Sequence, residues 1–318
     1  MRLLTKTLPK KRWVVSSMAK LNDQALIKEL KIDTKTLARF KQIQAETIKE
    51  AKRLSISPKK IKVLGISGSA RSKDDLAQEE SNSERLLMAS LEHCKKLGAE
   101  TELIKLRDYK IEYCKACYST ANTQCHFYCS CYPKGTPAGD DMSNILYDKI
   151  MEADAIIFAT PVNNFKMSSL MALFLDRCIS LDGSLKPANP DFTKDRELNI
   201  KHTKFVVMNA DRKIPGSGFL KRFTGKVAGI IVTGHEEGAA LVISSLFMTL
   251  NHFGMIFPPM SSVYAMASIK NPTYADKDIL KDGIYLEEVE DLAENIMSIT
   301  NLVKKFGKQN WRYDSSSD

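Results

Sequence analysis

The chain has 318 residues, 43% of them hydrophobic and 27% charged, enough for a real core in one large domain or two small ones. No apolar run approaches the roughly 18 residues that a membrane-spanning helix needs. The net charge of +9 is confined to the start: residues 1–60 hold 16 Lys or Arg against 5 Asp or Glu, and the remainder holds 31 against 33. A near-neutral body with a basic appendage argues against nucleic acid as the main partner.

Residues 1–20 carry six bases and no acid. A disordered basic tail and a mitochondrial targeting peptide both fit, and the Lys-rich composition favours the tail. Leu21, Ala25, Leu26, Leu30 and Ile32, then Leu37, Phe40, Ile43, Ile48 and Leu54, form an apolar stripe over 21–54. One or two helices are predicted there, an arm able to pack on the body or on a second subunit. Ser57-Pro58 ends it, because the residue before proline disfavours helix.

From Ile61 the pattern alternates strand and helix. Strands are predicted at Ile61–Ser67, Glu100–Asp108, Asp154–Pro161, Lys226–Gly234 and, as a short fifth, around Met255–Pro258. Helices are predicted at Ser81–Gly98, Asp141–Ala153, Ser168–Leu181, Gly238–Gly254 and Leu286–Phe306. Five strands alternating with helices imply one open, doubly wound parallel sheet over 61–306. Residues 182–225 break the alternation and read as an insertion that contains one strand-like run, Lys204–Met208. Residues 307–318 read as a polar tail.

Ligands of open α/β sheets sit beyond the carboxyl ends of the strands. After the first strand come Ser67, Gly68, Ser69, Ala70 and Arg71, then Ser81, Asn82 and Ser83 at a helix start. Small residues, hydroxyls, a free helix N-terminus and one cation suit a phosphate monoester, and a capped helix after a polar loop explains the same composition. Neither the dinucleotide nor the P-loop glycine signature is present. After the third strand, Pro161, Val162, Asn163, Asn164 and Phe165 suit the edge of a flat heteroaromatic ring or an ordinary turn. After the fourth, Gly234 and Gly238 bracket His235, Glu236 and Glu237, without the spacing of a His-Glu metal motif.

Five of the seven cysteines, Cys114, Cys117, Cys125, Cys129 and Cys131, fall within 18 residues. An odd count and no cleavable signal peptide make a disulfide scaffold a poor reading, and a cytoplasmic location is expected. A packed thiol-rich loop is the favoured reading of the segment. An iron–sulfur cluster or zinc on Cys114, Cys117, Cys125 and Cys129, or a redox disulfide, are its alternatives.

The order of these pieces (GSAR then SNS before a helix, the Cys segment leading into DDM, DAIIFATPVNNF with MALFLDR, and TGHEEG) resembles the NAD(P)H-dependent FMN reductases of the flavodoxin superfamily. The branch is the one that includes the iron–sulfur flavoproteins, and the resemblance covers about 61–260. It implies a flavodoxin-like three-layer fold with strand order 2-1-3-4-5 and FMN as cofactor. Ser67, Ser69, Arg71, Ser81, Asn82 and Ser83 would surround the FMN phosphate. Pro161, Val162, Asn163, Asn164 and Phe165 would line the ring, with Gly234 and His235 on its other side. The loop from Ser69 to Ser81 is longer than the family's usual one, which leaves Arg71 the least secure of these. The implied activity passes electrons from NAD(P)H, a cosubstrate, to a quinone, a flavin or a similar small acceptor, with no catalytic side chain. The alternatives are an electron carrier serving a protein partner and a non-catalytic interaction protein. A homo-oligomer is also implied, with the arm and the insertion as candidates to cover a neighbour.

Overall fold

The computed structural model describes residues 22–55, 60–76, 78–117, 125–211, 213–234, 238–266, 280 and 283–306. The basic tail, His235 and residues 307–318 lie outside them. Two helices come first, α1 (Asp23–Leu30) and α2 (Thr34–Ser55). Asn22 caps α1 by accepting the Ala25 N–H at 2.9 Å, and Lys31, at φ 50°, ends it in the left-handed region. The body then runs β1 (Lys62–Ser67), α3 (Asn82–Lys96), β2 (Glu100–Lys105), a π-helical turn (Met142–Leu146) into α4 (Tyr147–Glu152), β3 (Ala155–Asn163), β4 (Lys166–Met167) and α5 (Ser169–Cys178). It continues with α6 (Arg196–Asn209), β5 (Val227–Gly234), α7 (Ala239–His252), β6 (Ser262–Met266) and α8 (Gly283–Phe306).

The five long strands pair in parallel in the order β2-β1-β3-β5-β6, and the two-residue β4 folds back antiparallel on β3. Counting the parallel strands alone, this is the 2-1-3-4-5 order of a flavodoxin-like sheet. Alternation along the central strands divides two apolar layers. Leu64, Ile66, Ile156, Phe158 and Ile230 face a layer that includes Leu146, Tyr147, Met171, Phe174 and Leu246. Val63, Ala155, Ile157 and Ile231 face Leu87, Leu91, Leu292 and Ile296 of α3 and α8. Both faces are covered, which is why these strands read as nearly continuous apolar runs.

The fifth parallel strand is not where the sequence pattern put it. Met255–Pro258 makes only an isolated bridge, Ile256 beside Val227. Pro258 and Pro259 offer no N–H to the ladder, so the chain breaks off and resumes at Ser262, which pairs with Ile230. The run Lys204–Met208 is likewise helical. Asp195 caps α6 by accepting the Leu198 N–H at 3.0 Å, and Phe205 and Val206 are buried on one side of the helix. Packing overrides their strand propensity.

That packing partner is the N-terminal arm. Leu26, Leu30, Leu37 and Phe40 form a third small core with Leu185, Ala188, Phe205 and Val206. The arm therefore spends its apolar stripe on this chain's own insertion. Arg222 joins the two to the body: its guanidinium donates to Glu50 at 2.7 and 3.2 Å and lies 4.0 Å over the Phe127 ring.

Candidate functional site

The chain runs from β1 outward to β2, then returns across β1 to β3. The strand order reverses between β1 and β3, and the loops beyond their carboxyl ends flank that crevice. The β1 loop is drawn onto the start of α5. Ser168 accepts the Met171 N–H at 3.2 Å as the α5 cap, and its hydroxyl donates to the Gly68 carbonyl at 2.6 Å. A Cβ on Gly68 would meet Met171 Cβ at 2.8 Å and Ser168 Oγ at 2.9 Å, so only glycine lets the loop lie this close.

Beyond β3 the chain makes a two-residue hairpin. Asn163 pairs with Lys166, and Asn164 and Phe165 hold φ of 49° and 62°. Two consecutive left-handed residues are the signature of a tight hairpin with the twist of the flanking strands. Asparagine tolerates that conformation, whereas phenylalanine is strained by it. The turn leaves Phe165 58% exposed, with Asn163 and Asn164 exposed beside it and Val162 buried below. Gly234, which ends β5, and Gly238, before α7, both approach this hairpin. A Cβ on Gly234 would stand 2.9 Å from Val162 Cβ, and one on Gly238 3.1 Å from Phe165 Cα. Pro161, Val162, Asn163, Asn164, Phe165 and Gly234 are thus one neighbourhood.

The other end of the crevice is rich in hydroxyls and charge. Ser67, Ser69, Ser81 and Ser83 are buried, and the Ser81 and Ser83 hydroxyls are 2.8 Å apart. Ser81 stands at the N-terminus of α3 without a side-chain capping bond, so it does not occupy the first-turn amides. Ser69 Oγ accepts the Arg71 N–H at 3.2 Å. The Arg71 side chain itself turns outward and lies 3.7 Å from Glu79.

Four residues that the sequence pattern did not single out shape this region: Glu84, Lys105, Arg107 and Ser168. The Glu84 carboxylate is 2% exposed. It accepts Arg107 Nη1 at 2.6 Å and Nη2 at 3.1 Å, Lys105 Nζ at 2.8 Å and the Ser67 hydroxyl at 3.0 Å. Burial pushes its pKa upward, but the bonds from Arg107 and Lys105 outweigh burial and hold it below the usual carboxylate range. The only sequence signal was a charged residue in the third position of an otherwise apolar helix face, which many exposed helices share.

Residues 61–268 match the NADPH-dependent FMN reductase family. The chain belongs to this family. Among curated relatives, an iron-sulfur flavoprotein of Archaeoglobus fulgidus is 32% identical over 117 residues, 37% of this chain and 48% of that protein. One of Methanosarcina thermophila is 31% identical over 121 residues, 38% and 54% of the two chains. The matches thus span about half the length of these relatives. A solved structure of RosB with the bound intermediate 8-demethyl-8-formylriboflavin-5'-phosphate superimposes with a TM-score of 0.55 at 19% identity, covering 77% of this chain and 81% of that one. At that identity the likeness speaks for the fold alone. No described helix is long and apolar enough to cross a membrane.

For a flavin mononucleotide the residues present fit: glycine-lined approaches and an exposed aromatic at one end, hydroxyls, helix amides and cations at the other. Among the described residues, no three His, Cys, Asp or Glu side chains are arranged to hold a metal ion. Cys114 accepts the Ala116 N–H at 3.4 Å. Cys117 lies beside Cys125 and Cys131, and Cys131 beside Cys129. The Cys125 side chain, reinforced by burial, pushes the Cys117 thiol up to about 11, and its Cys131 neighbour and burial push Cys129 far up as well.

Proposed function

We propose that this chain binds FMN along the carboxyl edge of β1, β3 and β5 and is an FMN-dependent oxidoreductase. It takes reducing equivalents from NAD(P)H and passes them to a quinone, a flavin or a similar small acceptor. The observation that carries this reading is the close approach of three glycines beyond the strand ends to one crevice: Gly68 on Ser168 and Met171, Gly234 on Val162, and Gly238, at positive φ, on Phe165. The family membership supports the same cofactor.

In this reading Ser69, Ser81, Asn82 and Ser83 bind the phosphate, and Ser67 braces their loop through Glu84. Pro161, Val162, Asn163, Asn164, Phe165, Gly234 and His235 edge the ring. When bound, the flavin supplies the hydride and electron chemistry, and the protein orients it and shields it from water. No side chain is needed as acid or base for hydride transfer, so none is assigned as catalytic.

The test is to purify the protein anaerobically, record its visible spectrum with and without added FMN, and assay NADPH and NADH oxidation with a quinone acceptor. Flavin absorbance and acceptor-dependent oxidation are expected. A protein that takes up no FMN overturns the reading. One that binds FMN but oxidises neither nucleotide is an electron carrier instead.

A further inference from the structure

The buried ion cluster beneath the β1 loop does more than brace it. Lys105 and Arg107 sit at the end of β2 and in the turn beyond, yet both reach a carboxylate on the first turn of α3. Two cations thus share one buried anion at the phosphate end of the crevice, and the other carboxylates near Arg107 are exposed to solvent. Arg107 is 17% exposed and also donates to the Ser69 carbonyl at 3.4 Å, which places its guanidinium at the loop itself. The other carboxylates near it are Asp75 and Asp108. Asp108 lies 3.9 Å away and is 60% exposed, where water screens it. Arg71, which the sequence pattern assigned to the phosphate, is the weaker candidate, since its side chain is 42% exposed and water screens its charge.

We infer that Arg107, held in place by Glu84, supplies the positive charge that lets this site select a flavin bearing a phosphate monoester over the unphosphorylated flavin. Arg107 is then the specificity-determining residue and Glu84 a positioning residue. A guanidinium pinned by a bidentate carboxylate loses little freedom on meeting a phosphate, and its field acts in a partly desolvated cleft. The inference rests on the FMN reading above.

The experiment is to titrate the full-length apoprotein with FMN and, separately, with riboflavin, following flavin fluorescence. The proteins are wild type, Arg107→Gln, Arg107→Lys, Glu84→Gln and Arg71→Gln, each checked for native circular dichroism. Wild type is expected to prefer FMN. Arg107→Gln should weaken FMN at least 10-fold and leave riboflavin affinity within about twofold, with Arg107→Lys recovering part of the loss; charge-assisted bonds to phosphate have this strength. Arg71→Gln should cost FMN less than Arg107→Gln does. Equal losses for FMN and riboflavin in Arg107→Gln, or a larger FMN-specific loss in Arg71→Gln, overturn the inference. If Arg107→Gln fails to fold, Glu84→Gln decides: releasing the guanidinium should weaken FMN more than riboflavin, and equal losses for the two count against the inference. Wild-type protein that binds neither flavin defeats the FMN reading itself, and is distinguishable from every outcome above.

Discussion

At the phosphate end of the crevice, Lys105 and Arg107 meet Glu84 behind a row of buried hydroxyls; at the ring end, backbone meets backbone through glycines, and one strained aromatic stands in solvent. The first end is held by charge recruited from two elements. The second is held by local geometry, in which turn conformation and missing side chains set how close the loops come. Two such ends respond differently to substitution. Charge removal loosens the first through unpaired partners, and added volume prises open the second.

The largest expected effect is at Glu84. Glu84→Ala leaves Arg107 and Lys105 without their shared anion and frees Ser67, and should destabilise the protein by about 3 kcal/mol in urea unfolding, the low end for a broken buried pair because Lys105 is one-third exposed. A loss near zero would mean that the cations rehydrate freely and that the cluster is no scaffold. The same carboxylate sets an acid limb. Its folded pKa is depressed, so its stabilisation is present above the ordinary carboxylate range and is lost as the pH falls through the folded value. Glu84→Gln should flatten that part of the stability-pH profile, and an unchanged acid limb would assign it to other carboxylates such as Asp140, which Arg177 holds low against the upward push of burial.

Next in size is Gly234→Ala. The added methyl would sit 2.9 Å from Val162 Cβ, an atom close to the backbone that cannot swing aside. Overpacking of this kind costs about 1–3 kcal/mol. Thermal unfolding measures it, and flavin titration should show riboflavin and FMN weakened alike, because the ring end serves both. A phosphate-dependent loss in this variant would dissolve the distinction between the two ends.

These ends also differ in how much of them could be read in the sequence. Small residues after β1, the Pro-Val-Asn-Asn-Phe run after β3 and the paired glycines after β5 are contiguous, and a strand before each places it at the same edge. The alternation implied one open parallel sheet, and its strand order was what the family resemblance implied. Glu84, Lys105 and Arg107 lie far apart in the chain, and only the parallel register of β1 with β2, which sets Ser67 beside Lys105, brings them together. The strand expected at Met255–Pro258 and the helix at α6 were misread for a related reason. In the first, Pro258 and Pro259 break the ladder, so pairing with β5 resumes only at Ser262; in the second, the arm's Leu26, Leu37 and Phe40 decide the outcome.

The smallest effect, and the sharpest for the ring end, is at Phe165. Its φ of 62° is unfavourable for a bulky residue, and strain of this kind is stored where the surroundings impose it, at about 1–3 kcal/mol per position. Glycine would release the strain but gain freedom in the unfolded chain, an opposing effect of about 0.5–1 kcal/mol. Phe165→Gly should therefore be no less stable than wild type in urea, with a gain of about 0–2.5 kcal/mol as the difference between those two effects. It should also bind flavin more weakly, because an exposed aromatic face at the hairpin tip is gone. Stability and binding would move in opposite directions, as expected of a residue kept for its ligand. If the variant is instead less stable, the contact between the hairpin and the Gly238 backbone outweighs the strain, and Phe165 is a packing residue.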